Sequence, residues 1–195
     1  MAPGMMLIVS FYGAISLTSI SLVLEKREGV HQRCLVAACT HAEIVISHAL
    51  SQLLFLLIQS FVIIVITFFV LEIPYHGSLT LICIMVFLQG VCGMVIGLLI
   101  SSICNDINLV FMLSVVVTST NWIFSGAMWP IESMPGFVQK MVNVLPTTLA
   151  NISMRSIVSK GWSITNPQVF IGYIITIVWI FASIIAASFV LKWKK

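Results

Sequence analysis

The densest cluster of chemically capable side chains lies between positions 25 and 43. There Glu25-Lys26-Arg27-Glu28-Gly29 is followed by His31, Arg33, Cys34, Cys39, His41 and Glu43. His31, Cys34, Cys39 and His41 offer imidazole and thiolate ligands for a metal ion. Their spacing, His-x2-Cys-x4-Cys-x-His, matches no standard zinc framework, and a packing or solvated role is the stronger reading. The charged residues make an amphipathic segment that suits a membrane interface and a soluble docking partner. It equally suits a solvated connector whose basic stems lie along apolar surface. Catalysis has little to work with, because no Ser/His or Asp/Asp pair has the spacing an intramembrane enzyme needs. No Gly-x-x-x-x-Gly-Lys-Ser/Thr loop occurs in the sequence. Without that loop, whose backbone N–H groups surround phosphates, the chain is not expected to bind or hydrolyse ATP alone.

The elements that must position these residues follow from composition. The chain has 195 residues, 60% of them hydrophobic and 8% charged, with a mean hydropathy of +1.15. A soluble domain carries roughly 25% charged residues, so the solvent here must be largely lipid. Nine basic residues against six acidic ones are too few and too scattered for a nucleic-acid surface. The five cysteines show no disulfide framework. The N-terminus lacks the basic region and cleavage site of a signal peptide.

A spanning helix needs about 20 mostly apolar residues. The rare charges divide the chain into runs of that kind, predicting five transmembrane helices at about 5–24, 44–71, 79–101, 107–128 and 167–191. The expected fold is an all-α polytopic bundle. A polar cytoplasmic segment covers 25–43, a tight turn with Pro74 and Gly77 follows the second helix, and Ser101 to Asp106 forms another turn. The outer segment 129–166 is long for a loop; Phe137 to Leu145 and Thr148 to Val158 are expected to form short interfacial or re-entrant helices there. Lys26, Arg27, Arg33, Lys192, Lys194 and Lys195 fall on one side, and Lys140, Arg155 and Lys160 on the other. The excess places 25–43 and the C-terminus in the cytoplasm. Asn151-Ile152-Ser153 is then a glycosylation sequon on the outer side, and a weak signal. An outside N-terminus without a signal peptide implies an earlier helix, so Met1 is read as an internal methionine of a longer chain.

Polar residues within the runs are few. Glu72, His76 and Asp106 are expected at the interface. His48 is expected to make a helix-packing hydrogen bond. Gln59 and Gln89 lie deeper, where an amide either bridges helices or lines a translocation path. Gly93-x-x-x-Gly97 permits close helix approach, within one subunit or across a dimer. Phe111, Trp122, Phe124 and Met128 suit a lipophilic cavity, a lipid face or a packed core.

These residues resemble the membrane domain of ABC-2-type exporters. That family has a Glu-Arg-x-x-Gly-x-x-Glu-Arg-like segment after its second membrane helix and a Glu about ten residues later. Glu25, Lys26 or Arg27, Gly29, Arg33 and Glu43 fit it, while Gln32 departs where the family commonly has an acid. Met1-Ala2-Pro3-Gly4 resembles the approach to the family's second helix. Phe124-Ser125-Gly126-Ala127-Met128-Trp129-Pro130-Ile131-Glu132 resembles the exit from its fifth. Leu145-Pro146-Thr147-Thr148, Arg155 and Lys160-Gly161 resemble its outer re-entrant region. The match covers essentially the whole chain and is nearest to ABCG-like and ABCH-like half transporters.

The resemblance implies the membrane-spanning part of an ATP-driven exporter of lipid or lipophilic cargo, at the plasma membrane. Glu25, Lys26, Arg27, Glu28, Gly29, Arg33 and Glu43 would couple it to a nucleotide-binding domain. Gln59, Gln89, Phe111, Trp122 and Phe124 would line the cargo path. No cofactor is expected on this chain, ATP-Mg belonging to the ATPase domain, and the bundle would pair with an identical or different membrane domain. The rivals are an ATP-independent channel, for which no selectivity-filter motif is present, and a non-transporting membrane scaffold.

Overall fold

The computed structural model describes residues 2–29, 41–73, 76–104, 106–127, 135–142, 145–164 and 166–193. They form helices and no strand. The order is α1 (Ala2–Arg27), α2 (His41–Val65) continued by a π-helical turn (Ile66–Val70), α3 (Leu79–Ile103), α4 (Ile107–Phe124), α5 (Gly136–Val142), α6 (Pro146–Lys160) and α7 (Pro167–Trp193). Five of these, α1 to α4 and α7, are long and apolar enough to cross a membrane.

Two boundaries differ from expectation for physical reasons. Helix α1 runs past position 24 through Arg27, so the first charges of the polar segment form its last turn. Lys26 and Arg27 are favoured there by the negative end of the helix dipole. Helix α4 stops at Phe124, short of 128, because Gly126 takes a left-handed φ of 73° that an L-residue helix cannot continue.

The axis of the bundle is the α1–α3 pair. A methyl group on Gly93 would lie 2.5 Å from the Phe11 carbonyl oxygen, and one on Gly97 would lie 2.9 Å from that of Ile15. The two glycines therefore let backbones touch within one subunit. Around this axis sit two cores. One joins Leu7, Ile82, Met85, Met154, Ile157 and Val169. The other joins Phe11, Ile15, Cys92, Ile100 and Val110 toward the opposite end.

The peripheral helices are built inside out. Helix α2 buries Gln52, Ser60 and Thr67 while exposing Leu50, Leu54, Leu57, Phe61 and Phe69. Helix α4 buries Ser114, Thr118 and Asn121 while exposing Phe111, Met112, Val115 and Trp122. In water this arrangement would be unstable. In lipid, association depends on packing and interhelical hydrogen bonds, so polar groups turn inward.

Helix α6 covers the second of the helices expected as interfacial or re-entrant. It packs into the bundle, with Ala150, Met154 and Ile157 fully buried. Its small hydroxylated residues make that insertion feasible: Ser153 Oγ donates to the Gln168 carbonyl at 2.8 Å, and Thr147 Oγ1 donates to Asn121 Oδ1 at 2.9 Å. Pro146 starts the helix, where its missing N–H costs nothing, and Gly161 ends it at φ 65°. The His76 N–H donates to the Val158 carbonyl at 3.1 Å, which ties the α2–α3 turn to this end of the bundle.

Candidate functional site

The end of the bundle opposite α6 carries Glu25, Lys26, Arg27 and Asp106. Successive residues of an α-helix are turned by 100°, so three consecutive long side chains at a helix end reach three different neighbours. Glu25, Lys26 and Arg27 do this. Glu25 Oε1 lies 3.0 Å from His48 Nδ1 on α2. Lys26 Nζ donates to the Ser101 carbonyl at 2.7 Å. Arg27 forms an ion pair with Asp106. One helical turn thus clamps α1 to α2, α3 and the start of α4.

Each partner is a group that helix architecture leaves available. Ser101 lies in the last turn of α3, where carbonyls lack an intrahelical N–H and the dipole favours a cation. Asp106 precedes α4 at the N-cap position but makes no side-chain capping bond; its carboxylate faces Arg27 and remains near the positive helix end. His48 is mostly buried, with 13% of its side chain exposed. Sequence reading placed His48 in helix packing and Asp106 at the interface without a partner. Neither pairing with α1 was legible, since Arg27 and Asp106 are 79 residues apart.

Other expected coupling residues lie nearby. Glu28 is exposed, and Gly29 follows with φ 65° and open space around it. Glu43 sits in the first turn of α2, the favourable end for an acid. Arg33, with His31, Cys34 and Cys39, lies outside the described residues, as does Met128.

The clamp continues as a polar seam along α1 and α2. Thr18 Oγ1 donates to Gln52 Oε1 at 3.2 Å. Gln59 Nε2 donates to the Val9 and Ser10 carbonyls at 3.2 and 3.3 Å. Gln52 was missed in the sequence. Its place between His48 and Gln59, at intervals of four and seven residues on one helix face, was the available signal.

The expected cargo path is not assembled within this chain. Gln89 is fully buried, and neither of its amide atoms has a hydrogen-bond partner among the described residues. It sits on α3 in the packed interior. Phe111, Trp122 and Phe124 are exposed on α4, away from Gln59 on the α1–α2 seam. The structure places the glycosylation candidate Asn151 in the interior of the bundle. Asn151 is 3% exposed, sits inside α6, and donates through Nδ2 to the Ser125 carbonyl at 3.0 Å. A glycan acceptor must be accessible in a surface loop.

An apolar-faced helical bundle with a buried polar helix at one end and an ionic clamp at the other is the architecture of a multi-pass membrane protein. The family model described as ABC-2 type transporter matches residues 1–159, and the chain belongs to that family. It is the membrane part of an ABC transporter. Among similar proteins is "ABC transporter G family member 20" of Dictyostelium discoideum, 32% identical over all of this chain and 27% of that protein. The "Probable multidrug ABC transporter permease YbhR" of Escherichia coli is 28% identical over 74% of this chain and 39% of that protein. The "Inner membrane transport permease YhhJ" of the same organism is 29% identical, over 80% and 42%. The chain thus spans well under half the length of these relatives.

Proposed function

We propose that this chain forms the membrane pathway of an ATP-driven exporter of lipid or another lipophilic cargo. The clamp end faces the cytoplasm, together with the C-terminus, and meets a nucleotide-binding domain that holds ATP-Mg. This chain binds no cofactor and is no enzyme by itself. The observation that carries the reading is the clamp, since one turn of α1 grips three other helices. A push on the Glu25–Glu43 region therefore reaches α2, α3 and α4 together. Coupling then requires no wire through the bundle, only a bistable contact that the ATPase domain biases.

The apolar outer faces of α2 and α4 support the rest. Only 22% of the spanning window of each is buried. A second membrane domain, identical or different, would cover part of that surface and place Phe111 and Trp122 along a shared lipophilic path. Walls with so little charge suit an apolar cargo. The plasma membrane is the proposed location.

The test is export of a fluorescent phospholipid analogue from vesicles that contain the chain with its nucleotide-binding domain. ATP-dependent export that is weakened by Glu25→Lys is the expected result. Export that survives Glu25→Lys with unchanged coupling would remove the clamp from the mechanism.

A further inference from the structure

The end of the bundle opposite the clamp holds a cavity of about 380 Å³ between α6, α5, the start of α7 and the turn after α4. Its described lining includes Arg155 and Lys160, with Gln139, Asn151, Ser156 and Gln168 adding amide and hydroxyl groups, and it contains no carboxylate. Both cations are held without a countercharge among the described residues. An Arg155 guanidinium N–H donates to the Gly126 carbonyl at 3.1 Å. Lys160 Nζ lies 4.4 Å from the centre of the Trp162 ring, a cation–π contact that orients the ammonium and leaves its charge intact. The N-terminus of α7 begins at Pro167 beside Gln168, and its dipole adds positive potential on the same side.

We propose that this cavity binds a phosphate-bearing anion, with Arg155 supplying a planar donor fork and Lys160 a point charge. A guanidinium with N–H groups to spare and a nearby ammonium are the pair that phosphate oxygens match best. The Ser156 hydroxyl and the Gln168 amide on the wall are further donors for the remaining oxygens. The location, at the end of a lipid-facing bundle, fits a phospholipid headgroup, and the same chemistry accepts inorganic phosphate. The inference rests on charge and geometry at this end and not on transport, so it stands or fails apart from the exporter reading.

The test is the thermal stability of the full chain in nanodiscs. Three conditions are compared: phosphatidylcholine alone, phosphatidylcholine with phosphatidylglycerol, and phosphatidylcholine with millimolar inorganic phosphate. The variants are Lys160→Gln, Arg155→Gln, Arg155→Lys and, as a charge-matched control at the opposite end of α7 from the cavity, Lys192→Gln. Stabilisation by phosphatidylglycerol alone identifies a headgroup site, and stabilisation by inorganic phosphate identifies a soluble anion site. In either case Lys160→Gln weakens the apparent affinity about tenfold, Arg155→Lys retains part of it, and the control is unchanged. Lys160 makes no hydrogen bond to the fold among those described, so its variant keeps the test sound if Arg155→Gln unfolds. Equal stabilisation of wild type and Lys160→Gln, or none in any condition, overturns the site.

Discussion

If the Arg27–Asp106 pair is a working joint, reversing one charge should disable it and reversing both should restore it. The two side chains are 50% and 64% exposed, so solvent screens the pair and its contribution to folding is about 0.2–1 kcal/mol. Arg27→Glu replaces an attraction of about 1 kcal/mol at contact distance in high dielectric with a repulsion of similar size. The clamped form then loses about 1–2 kcal/mol relative to the released form, a shift of roughly 5–30-fold in their ratio. Folding and membrane insertion should survive that change, whereas a transition balanced within a few kcal/mol should not. The assay measures ATP hydrolysis and export together in vesicles containing the chain with its nucleotide-binding domain. Arg27→Glu should lower export per ATP hydrolysed, Asp106→Arg should do the same, and the double reversal should recover most of the coupling. A double variant as defective as Arg27→Glu alone would refute the joint, because Arg27 would then be meeting a group other than Asp106.

Two further outcomes follow from packing. Gly93→Ala places a methyl 2.5 Å from the Phe11 carbonyl and forces α1 and α3 apart. Overpacking of this kind costs about 1–3 kcal/mol, so a lowered melting midpoint in detergent is expected, and an unchanged midpoint would show that the two backbones do not meet there. Gln89→Leu removes a fully buried amide with no described partner, a burden of about 1–3 kcal/mol. The variant should melt higher at unchanged export; a loss of export with a gain in stability would return Gln89 to the cargo path.

The five membrane helices were legible because charge is forbidden in hydrocarbon over a fixed length, which makes the runs between charges self-announcing. The charge density of Glu25 to Arg27 was legible, and the direction of their contacts was not. A cluster that reads as a docking surface in one dimension becomes an internal joint once α3 and α4 return beside α1. The depth of helix α6 was left open between interfacial and re-entrant. Thr147, Thr148, Asn151, Ser153 and Ser156 lower its hydropathy, which alone suggests a surface helix. In a membrane interior, small polar residues are the ones that permit burial. The burial of Asn151 was not legible either, since a sequon carries no information about depth.

The bundle divides by the kind of force that holds each part. Helices α1 and α3 are locked by backbone approach at Gly93 and Gly97, and α6 and α7 are packed on them through Met154, Ile157 and Val169. Such contacts have one good geometry and do not slide. Helix α2 meets α1 chiefly through single hydrogen bonds at His48, Gln52 and Gln59, and α4 presents a stripe of Ser114, Thr118 and Asn121. A hydrogen bond across membrane helices contributes only about 0.6–2 kcal/mol and can be exchanged for a neighbouring partner. The clamp binds one residue of the rigid unit to each of the adjustable helices. Under the proposed coupling, a push at the clamp end therefore acts first on the hydrogen-bonded contacts of α2 and α4 and least on the α1–α3 axis. An inward-facing polar seam is therefore both the means of assembly in lipid and the surface along which the bundle is able to move.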